Sequence, residues 1–297
     1  MCATKFSIIT PTLNRASMLG SAILSVLDQH YADCEHLVVD GGSTDGTAEL
    51  VTKYPQVRFI TGRDGGMYDA LNKGLRASQG DIIGFLNSDD RYGGHVFQLV
   101  ADCFHNQGVQ AVVGKAIIFA DGNGNAPRII SEYSPSAVNI LECATMGATY
   151  FNAWFFRRSL VEQLGAFDTR YRIVGDRDFM LRFTASSPKY EIVDAVVYEY
   201  RWHPDSLTFT NVLHNRTNTV DELVGMIDDY LKSRKLPDRT LAMLRAKRRQ
   251  VTSEMAIRYL KARDLRRAVS YALIGSRNDL SWAATFGRAL LEKRAAR

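Results

Sequence analysis

The pattern of apolar and polar positions changes period along the chain. Up to about residue 200, apolar runs of four or five residues alternate with stretches in which apolar residues recur every three or four positions. The runs at 6–10 (FSIIT), 36–39 (HLVV), 57–61 (VRFIT) and 82–86 (IIGFL) read as strands, each followed by a polar loop and then a helical pattern. Leu19, Ile23, Val26 and Leu27 share one helical face, as do Tyr68, Leu71 and Leu75 on a helix over 67–76, where Asp69, Asn72 and Lys73 fall on the other, solvated positions. Four such alternations predict a parallel, doubly wound sheet. Pro11 is expected to stop the first strand, and Ser43 or Asp45 to cap a helix over 47–53.

Further on, the pattern predicts a helix over 96–104 and a strand over 111–119 that runs into a turn at 121–125. An aromatic strand over 150–156, a helix over 157–164 closed by Gly165, a helix opening at Asp176, and two closing strands at 190–193 and 196–202 follow. Residues 203–206 read as an exit loop. The segment 134–149 fits neither period and reads as a mobile lid or an acceptor loop. From residue 212 onward only helical periods remain, over 219–231, 238–260, 265–274 and 282–291. The expected division is therefore an α/β domain over 1–210 and an all-helical extension over 211–297.

Charge sharpens that division. Residues 231–297 hold 18 lysines and arginines against 5 acids, a balance of +13, whereas the whole chain carries only +5, so the remainder is −8. The split suggests segments with different partners: a solvated helical face is the ordinary account of such a run, and an anionic membrane surface is the functional one. The four cysteines, Cys2, Cys34, Cys103 and Cys143, are scattered with no CxxC pair, which points to a reduced, cytoplasmic protein without a structural zinc site. The amino terminus enters a strand without an apolar leader, and no run of eighteen apolar residues occurs, so neither a signal peptide nor a membrane span is expected.

Candidate chemistry concentrates where strands end. The run 82–86 empties into Asn87, Ser88, Asp89 and Asp90, and the run 36–39 into Asp40, Gly41 and Gly42. Ligands of open α/β sheets bind beyond the carboxyl ends of the strands, so these acids are delivered to a site. Adjacent carboxylates favour a hard divalent cation, Mg²⁺ or Mn²⁺, with a phosphate-bearing partner. The competing account is turn chemistry, since Asp, Asn and Ser are ordinary turn residues. Asp176 likewise has a plain alternative as a helix cap.

Five segments in order, FSIITPTLNR, VVDGGSTDGT, GGMYDALNKG, FLNSDD and FDTRYRIVGDRDFMLR, together resemble a bacterial family 2 glycosyltransferase. The resemblance covers residues 5–207, about two-thirds of the chain. It implies a GT-A fold, with a Rossmann-like, mostly parallel central sheet flanked by helices, and an inverting transfer from a nucleotide-sugar donor to a saccharide or lipid-linked saccharide acceptor. Pro11, Thr12 and Asp40 match positions that hold the base and ribose, and Asn14, Gly41, Asp69, Asn72, Lys73, Asn87 and Ser88 complete the implied nucleotide site. Asp89 matches the metal-binding acid of the family's DxD motif, with Asp90 beside it, although Asn87 stands where that motif begins with Asp. Asp176 matches the catalytic base, preceded by Gly175 where many relatives carry another acid. Arg201 and His203 lie where some relatives touch the diphosphate; a single histidine without a spaced partner reads first as an ordinary loop residue.

Three other classes compete with this reading. A sugar-phosphate nucleotidyltransferase would carry a glycine-rich phosphate loop after the first strand, and PTLNR has no glycine. A nucleic-acid binder working through the basic tail would be accompanied by a binding module, which the chain lacks. A sugar-nucleotide binder without turnover has no need of Asp89, Asp90 and Asp176 together. The implied placement is cytoplasmic, peripheral on the membrane's cytoplasmic face.

Overall fold

A computed structural model describes residues 4–122, 125–135, 140–147, 150–203, 213–233, 235–277 and 279–295. It divides into two compact units, one of Met1–Ile140 with Ala148–Phe209, the other of Leu141–Gly147 with Thr210–Arg297.

The first unit is built on strand β1 (Phe6–Thr12), which pairs in parallel with β2 (Cys34–Asp40) on one side and β4 (Ile82–Phe85) on the other; β3 (Val57–Thr61) continues the parallel set beyond β2. The remaining strands are β5 (Arg91–Tyr92), β6 (Ala111–Gly122), β7 (Asn125–Tyr133), β8 (Trp154–Arg157) and β9 (Tyr190–Arg201). The sheet order is β3-β2-β1-β4-β8-β6-β9-β5, with β7 paired to the later part of β6, from Ala116 to Gly122. Strand β8 runs antiparallel to both β4 and β6, so a parallel half and a mixed half meet there. Helices α1 (Ala16–Leu27), α2 (Thr47–Val51), α3 (Met67–Ala77) and α4 (Val96–Phe104) follow the first strands, as the alternation predicts. Phe6, Ile8, Ile9, Ile82, Ile83 and Phe85 are fully enclosed, because strands in the middle of a covered sheet are buried on both faces.

Several boundaries differ from the sequence expectation for identifiable reasons. Pro11 does not end β1, which continues to pair Pro11 with Val39 and Thr12 with Asp40. Backbone groups alternate sides along a strand: the carbonyl of Ile9 accepts from Leu86 on the β4 side and that of Thr12 from Gly41 on the β2 side. Pro11 therefore faces the β4 side just past the last β1–β4 pair, where its missing N–H removes no ladder bond. The two expected closing strands are one strand, β9, whose pairing with β6 slips between Val193 and Val196. The aromatic run at 150–156 opens with a 3-10 turn at Phe151–Ala153 before β8. Within 134–149 the structure holds helix α5 (Ile140–Thr145), while 136–139 and 148–149 lie outside the described residues, as does the exit loop beyond His203. Helix α6 (Arg158–Leu164) and helix α7 (Gly175–Ala185) complete the unit.

The second unit consists of α8 (Leu213–Ser233), α9 (Asp238–Lys261), α10 (Leu265–Ser276) and α11 (Trp282–Ala295), together with the 141–147 segment. Leu223, Met226, Ile227, Leu241, Leu244, Val251 and Met255 form its interior. The cluster Lys247-Arg248-Arg249 is not the solvated face its composition suggests. Arg248 is buried, its Nε 2.7 Å from Asp228 Oδ1 and its Nη1 donating to the Gly275 carbonyl. Lys247 donates to the Met146 carbonyl, and Arg249 pairs with Asp279 at 2.8 Å. Gly275 is needed for close approach: a Cβ there would lie 2.0 Å from the indole Nε1 of Trp282, whose N–H donates to Thr252. No helix among the described residues is long and apolar enough to cross a membrane.

Candidate active site

The loops after β1, β2 and β3 lock into one another at the carboxyl edge of the parallel half. Asp40, 3% exposed at the end of β2, accepts hydrogen bonds from the backbone N–H of Gly42 and Ser43, the Ser43 hydroxyl and the Thr61 hydroxyl. Its carboxylate thereby fixes the glycine turn that follows it. Asn14, in left-handed backbone at φ 53°, donates its N–H to Ser43 Oγ and accepts at Oδ1 from the N–H of Thr44. Asp45 accepts from the N–H of Ala16 at the start of α1 and from Thr47, so it serves two helix starts where only one was expected. The third loop closes against the second, since a Cβ on Gly41 would lie 2.8 Å from Asp64 Oδ2. Thr12, opposite Asp40 in register, is 5% exposed and its hydroxyl has no hydrogen-bond partner among the described residues. An enclosed hydroxyl left unpaired beside a fixed carboxylate is where a ligand's polar group would be satisfied.

Residues of α3 take up different positions. Asp69 accepts from the N–H of Gly65, and Lys73 donates to the Arg63 carbonyl at 2.7 Å, so both tie the glycine loop to the helix. Asn72 departs from the solvated face expected of it. It is 6% exposed, donating from Nδ2 to the Phe167 carbonyl and accepting at Oδ1 from the Phe167 N–H, each at 2.9 Å. That reciprocal pair fixes the chain leading into α7.

At the tip of β4 the structure separates the two acids that the sequence pairs as metal ligands. Asp90 is 4% exposed and turned inward, accepting from Asn87 Nδ2 at 3.0 Å, the Tyr198 hydroxyl at 2.9 Å and the Arg201 N–H at 2.8 Å. Both of its oxygens thus accept from protein donors. Burial, and then the neighbouring Asp89, raise its pKa to about 7 against those donors. Asp89 stays half-buried, its Oδ2 3.1 Å from His203 Nε2. Ser88 between them is buried. Arg201 clamps the turn: Nε donates to the Asp89 carbonyl at 2.8 Å, Nη2 to Ser21, and Nη1 pairs with Asp121, while the guanidinium lies 4.9 Å from the Phe119 ring centroid. Each of its side-chain nitrogens thus already has a protein partner, whereas His203 reaches the open acid.

This arrangement gives a physical reason for Asn87 in the first position of the motif. An amide there donates to Asp90; a carboxylate would set a second negative charge about 3 Å from a buried one with nothing to donate.

Asp176 lies half-buried in the first turn of α7, where exposed helix N–H groups favour an acid, and its Oδ1 is 3.3 Å from the Tyr68 hydroxyl. The same hydroxyl donates to the Ile173 carbonyl. Gly175 follows from this packing, because a Cβ would lie 2.8 Å from the Tyr68 ring. Asp178, two residues on and 5% exposed, is held by Arg182 at 2.8 Å. Burial raises the Tyr200 phenol well above the ordinary range, and the charges of Asp90 and then Asp176 push it further. Tyr198 and Tyr200, with Asn152 donating to the Tyr198 hydroxyl, are site residues the motifs did not point to. The alternating tyrosines of β9 were the available signal, since residues two apart share a strand face.

The donor set fits a divalent cation held chiefly by its substrate. Asp89 offers an open hard oxygen and His203 a nitrogen, and no cluster of three potential protein ligands occurs among the described residues. Mg²⁺ characteristically takes one or two carboxylates plus substrate phosphates, and does not need a full protein cage.

Parallel strands that carry acid-bearing loops to one edge, with a mixed half continuing the sheet, define an α/β protein of the doubly wound type. The chain belongs to glycosyl transferase family 2, whose model matches residues 7–165. It is 30% identical over 206 residues to a PGL/p-HBAD biosynthesis glycosyltransferase of Mycobacterium bovis, covering 61% of this chain and 70% of that protein. Among solved structures it is similar to Staphylococcus aureus TarS 1–349 in complex with UDP-GlcNAc, with a TM-score of 0.61 and 15% identity over 94% of this chain and 92% of the other. It is similar also to the mannosyltransferase PcManGT from Pyrobaculum calidifontis in complex with GDP-Man and Mn²⁺, with a TM-score of 0.60 and 18% identity over 99% and 80% of the two chains. These likenesses establish the GT-A fold, and the family match establishes a glycosyltransferase, as the motif order implies.

Proposed function

We propose that this glycosyltransferase moves a sugar from a nucleoside diphosphate to a hydroxyl of a saccharide or lipid-linked saccharide, with inversion at the anomeric carbon. The observation that carries this reading is the hydrogen bond from Tyr68, on the helix that follows the third loop, to Asp176, which ties this acid to the carboxyl edge where Asp40 and Asp89 also lie. Asp89 and Asp176, distant in sequence, stand in different settings, one beside His203 and the other in the first turn of α7, which suits them to different tasks.

In this reading Thr12, Asp40 and the loops joined through Asn14 and Gly41 receive the base and ribose, where the enclosed Thr12 hydroxyl awaits a partner. Asp89 and His203 would hold Mg²⁺ or Mn²⁺, which when bound offsets the charge growing on the departing diphosphate. Asp90 is a positioning residue that, with Arg201, fixes the turn presenting Asp89. Asp176 takes the proton of the acceptor hydroxyl as that oxygen bonds to the anomeric carbon and the bond to the diphosphate oxygen breaks. A single displacement from the opposite face inverts the configuration. The Mn²⁺ and nucleotide sugars named for the two structural neighbours support a donor and a cation of these classes. A lipid-linked acceptor would bring the enzyme to the cytoplasmic membrane surface, consistent with the basic helical region.

Thermal-shift titration with a panel of nucleotide sugars, with and without Mn²⁺, tests the donor and the cation together. One nucleotide sugar is expected to stabilise the wild type in a Mn²⁺-dependent way, by about 2.7 kcal/mol at a hundredfold excess over Kd. Asp89→Ala should abolish the Mn²⁺-dependent part, and a variant that retains it refutes the assignment of Asp89.

A further inference from the structure

Helix α10 exposes an apolar stripe on the side away from its packing. Ala268, Tyr271 and Gly275 face the interior of the helical unit, whereas Leu265, Val269 and Leu273 are 65%, 56% and 67% exposed. These three stand four residues apart, so they lie on one face within about 80° of arc and form a continuous strip. Leu260, at the end of α9, is 40% exposed and Leu280, just beyond α10, is 97% exposed. Isolated exposed leucines are ordinary, but a run that repeats with the helical period is an interaction face.

The charges around the strip identify its partner. Lys261, Arg263, Arg266, Arg267 and Arg277 are all exposed here, against two acids, Asp264, 3.8 Å from Arg267, and Asp279, which pairs with Arg249. Elsewhere in this unit the basic clusters are partly consumed: Arg248 and Arg249 are paired with Asp228 and Asp279, and Lys247 with a carbonyl. On the helical wheel Arg266 and Arg277 fall just beside the strip, and Arg277 also lines a cavity of about 490 Å³ with Arg267, Arg248, Asp228 and Tyr271. A second copy docking strip against strip would bring these cations onto one another, since a two-fold contact sets a patch against itself. An anionic bilayer meets both features, taking the apolar side chains between its headgroups while its phosphates face the arginines.

We infer that α10 is a membrane-docking helix that lies in the headgroup layer of an anionic bilayer, with Leu265, Val269 and Leu273 inserted and Arg266 and Arg277 on headgroup phosphates. This deepens the proposed use of a lipid-linked acceptor and rests on that reading for its purpose, though the attachment itself requires no turnover.

The test is co-sedimentation of the full chain with vesicles of phosphatidylcholine alone or mixed with phosphatidylglycerol, at low and high salt. The wild type should bind the mixed vesicles and not the neutral ones, and release as salt rises. The triple variant Leu265→Ser, Val269→Ser, Leu273→Ser should bind about a hundredfold more weakly, with an unchanged unfolding temperature showing that it folds. Arg266→Gln and Arg277→Gln should each weaken binding about fivefold. Equal binding by wild type and triple variant, equal binding to neutral vesicles, or no binding at low salt would each overturn the inference. So would a self-associated wild type that the triple variant makes monomeric, since the strip would then belong to a second copy. Nucleotide-sugar binding measured on the same preparations separates failure of this inference from failure of the proposed activity.

Discussion

The tip of β4 and the start of α7 each carry a near-adjacent pair of acids, and in each pair one member is buried and held while the other remains partly open. At β4 the buried acid, Asp90, is held by an amide, a phenol and a backbone N–H. At α7 the buried acid, Asp178, is held by the guanidinium of Arg182. Asp90 has only neutral donors, and burial and then the neighbouring Asp89 raise its pKa. The comparison teaches that a doublet of acids in sequence need not share one setting. One acid builds the turn and the other is presented by it.

The largest effect should come from the half-buried member at α7. Asp176→Asn keeps the side-chain shape and should lower single-turnover transfer by about a hundredfold to ten-thousandfold, with nucleotide-sugar binding unchanged in thermal-shift titration. A parallel loss of binding would make Asp176 structural like its neighbour. Removing the cation from the buried pair should come next. Arg182→Met removes the cation 2.8 Å from Asp178 and also strips donors from the Leu164 and Gly165 carbonyls. It should lower stability by about 3–5 kcal/mol in urea unfolding, and a loss below 1 kcal/mol would erase the contrast with β4.

Acidity bears on the β4 pair. Because Asp90 has a folded-state pKa near 7 against an ordinary 3.8, the folded protein binds this proton more tightly than the unfolded chain does. Its stabilising contribution is complete below 3.8 and is lost as pH rises through about 7. Between pH 5 and 8 the loss should be about 2–3 kcal/mol. His36 works in the opposite sense: burial lowers its pKa to about 3 from 6.5, so it withdraws stability as pH falls below 6.5. The wild-type curve carries both groups, so the informative quantity is wild type minus Asp90→Asn, which should fall across that range and would contradict the assignment if it were flat. The smallest change probes the packing beneath Asp176. Gly175→Ala forces a methyl group against the Tyr68 ring and should cost about 1–2 kcal/mol, read as a lowered unfolding temperature.

Much of this was legible in the sequence, and the exceptions share a cause. The strands from 6, 36, 57 and 82 and the four late helices were visible because burial imposes a period on neighbouring residues. Asp40, Asp89 and Asp176 stood out because strand ends and helix starts are marked locally by glycine, proline and capping residues. Pro11 was misjudged because its effect depends on where a neighbouring strand stops pairing. Asn72 and Arg248 looked solvated because their partners, Phe167 and Asp228, are distant in the chain.

By itself the sequence determined the alternation of elements, the change to an all-helical region, the ends of strands where acids gather and the family to which they belong. Those are consequences of local period and spacing. Only the tertiary structure decided that Asp90 faces inward while Asp89 remains half-buried, that Tyr68 reaches Asp176, and that α10 turns three apolar side chains to solvent. Each of these depends on which distant groups share a volume once the chain has folded, and burial and hydrogen bonding between distant residues leave no periodic trace along the chain.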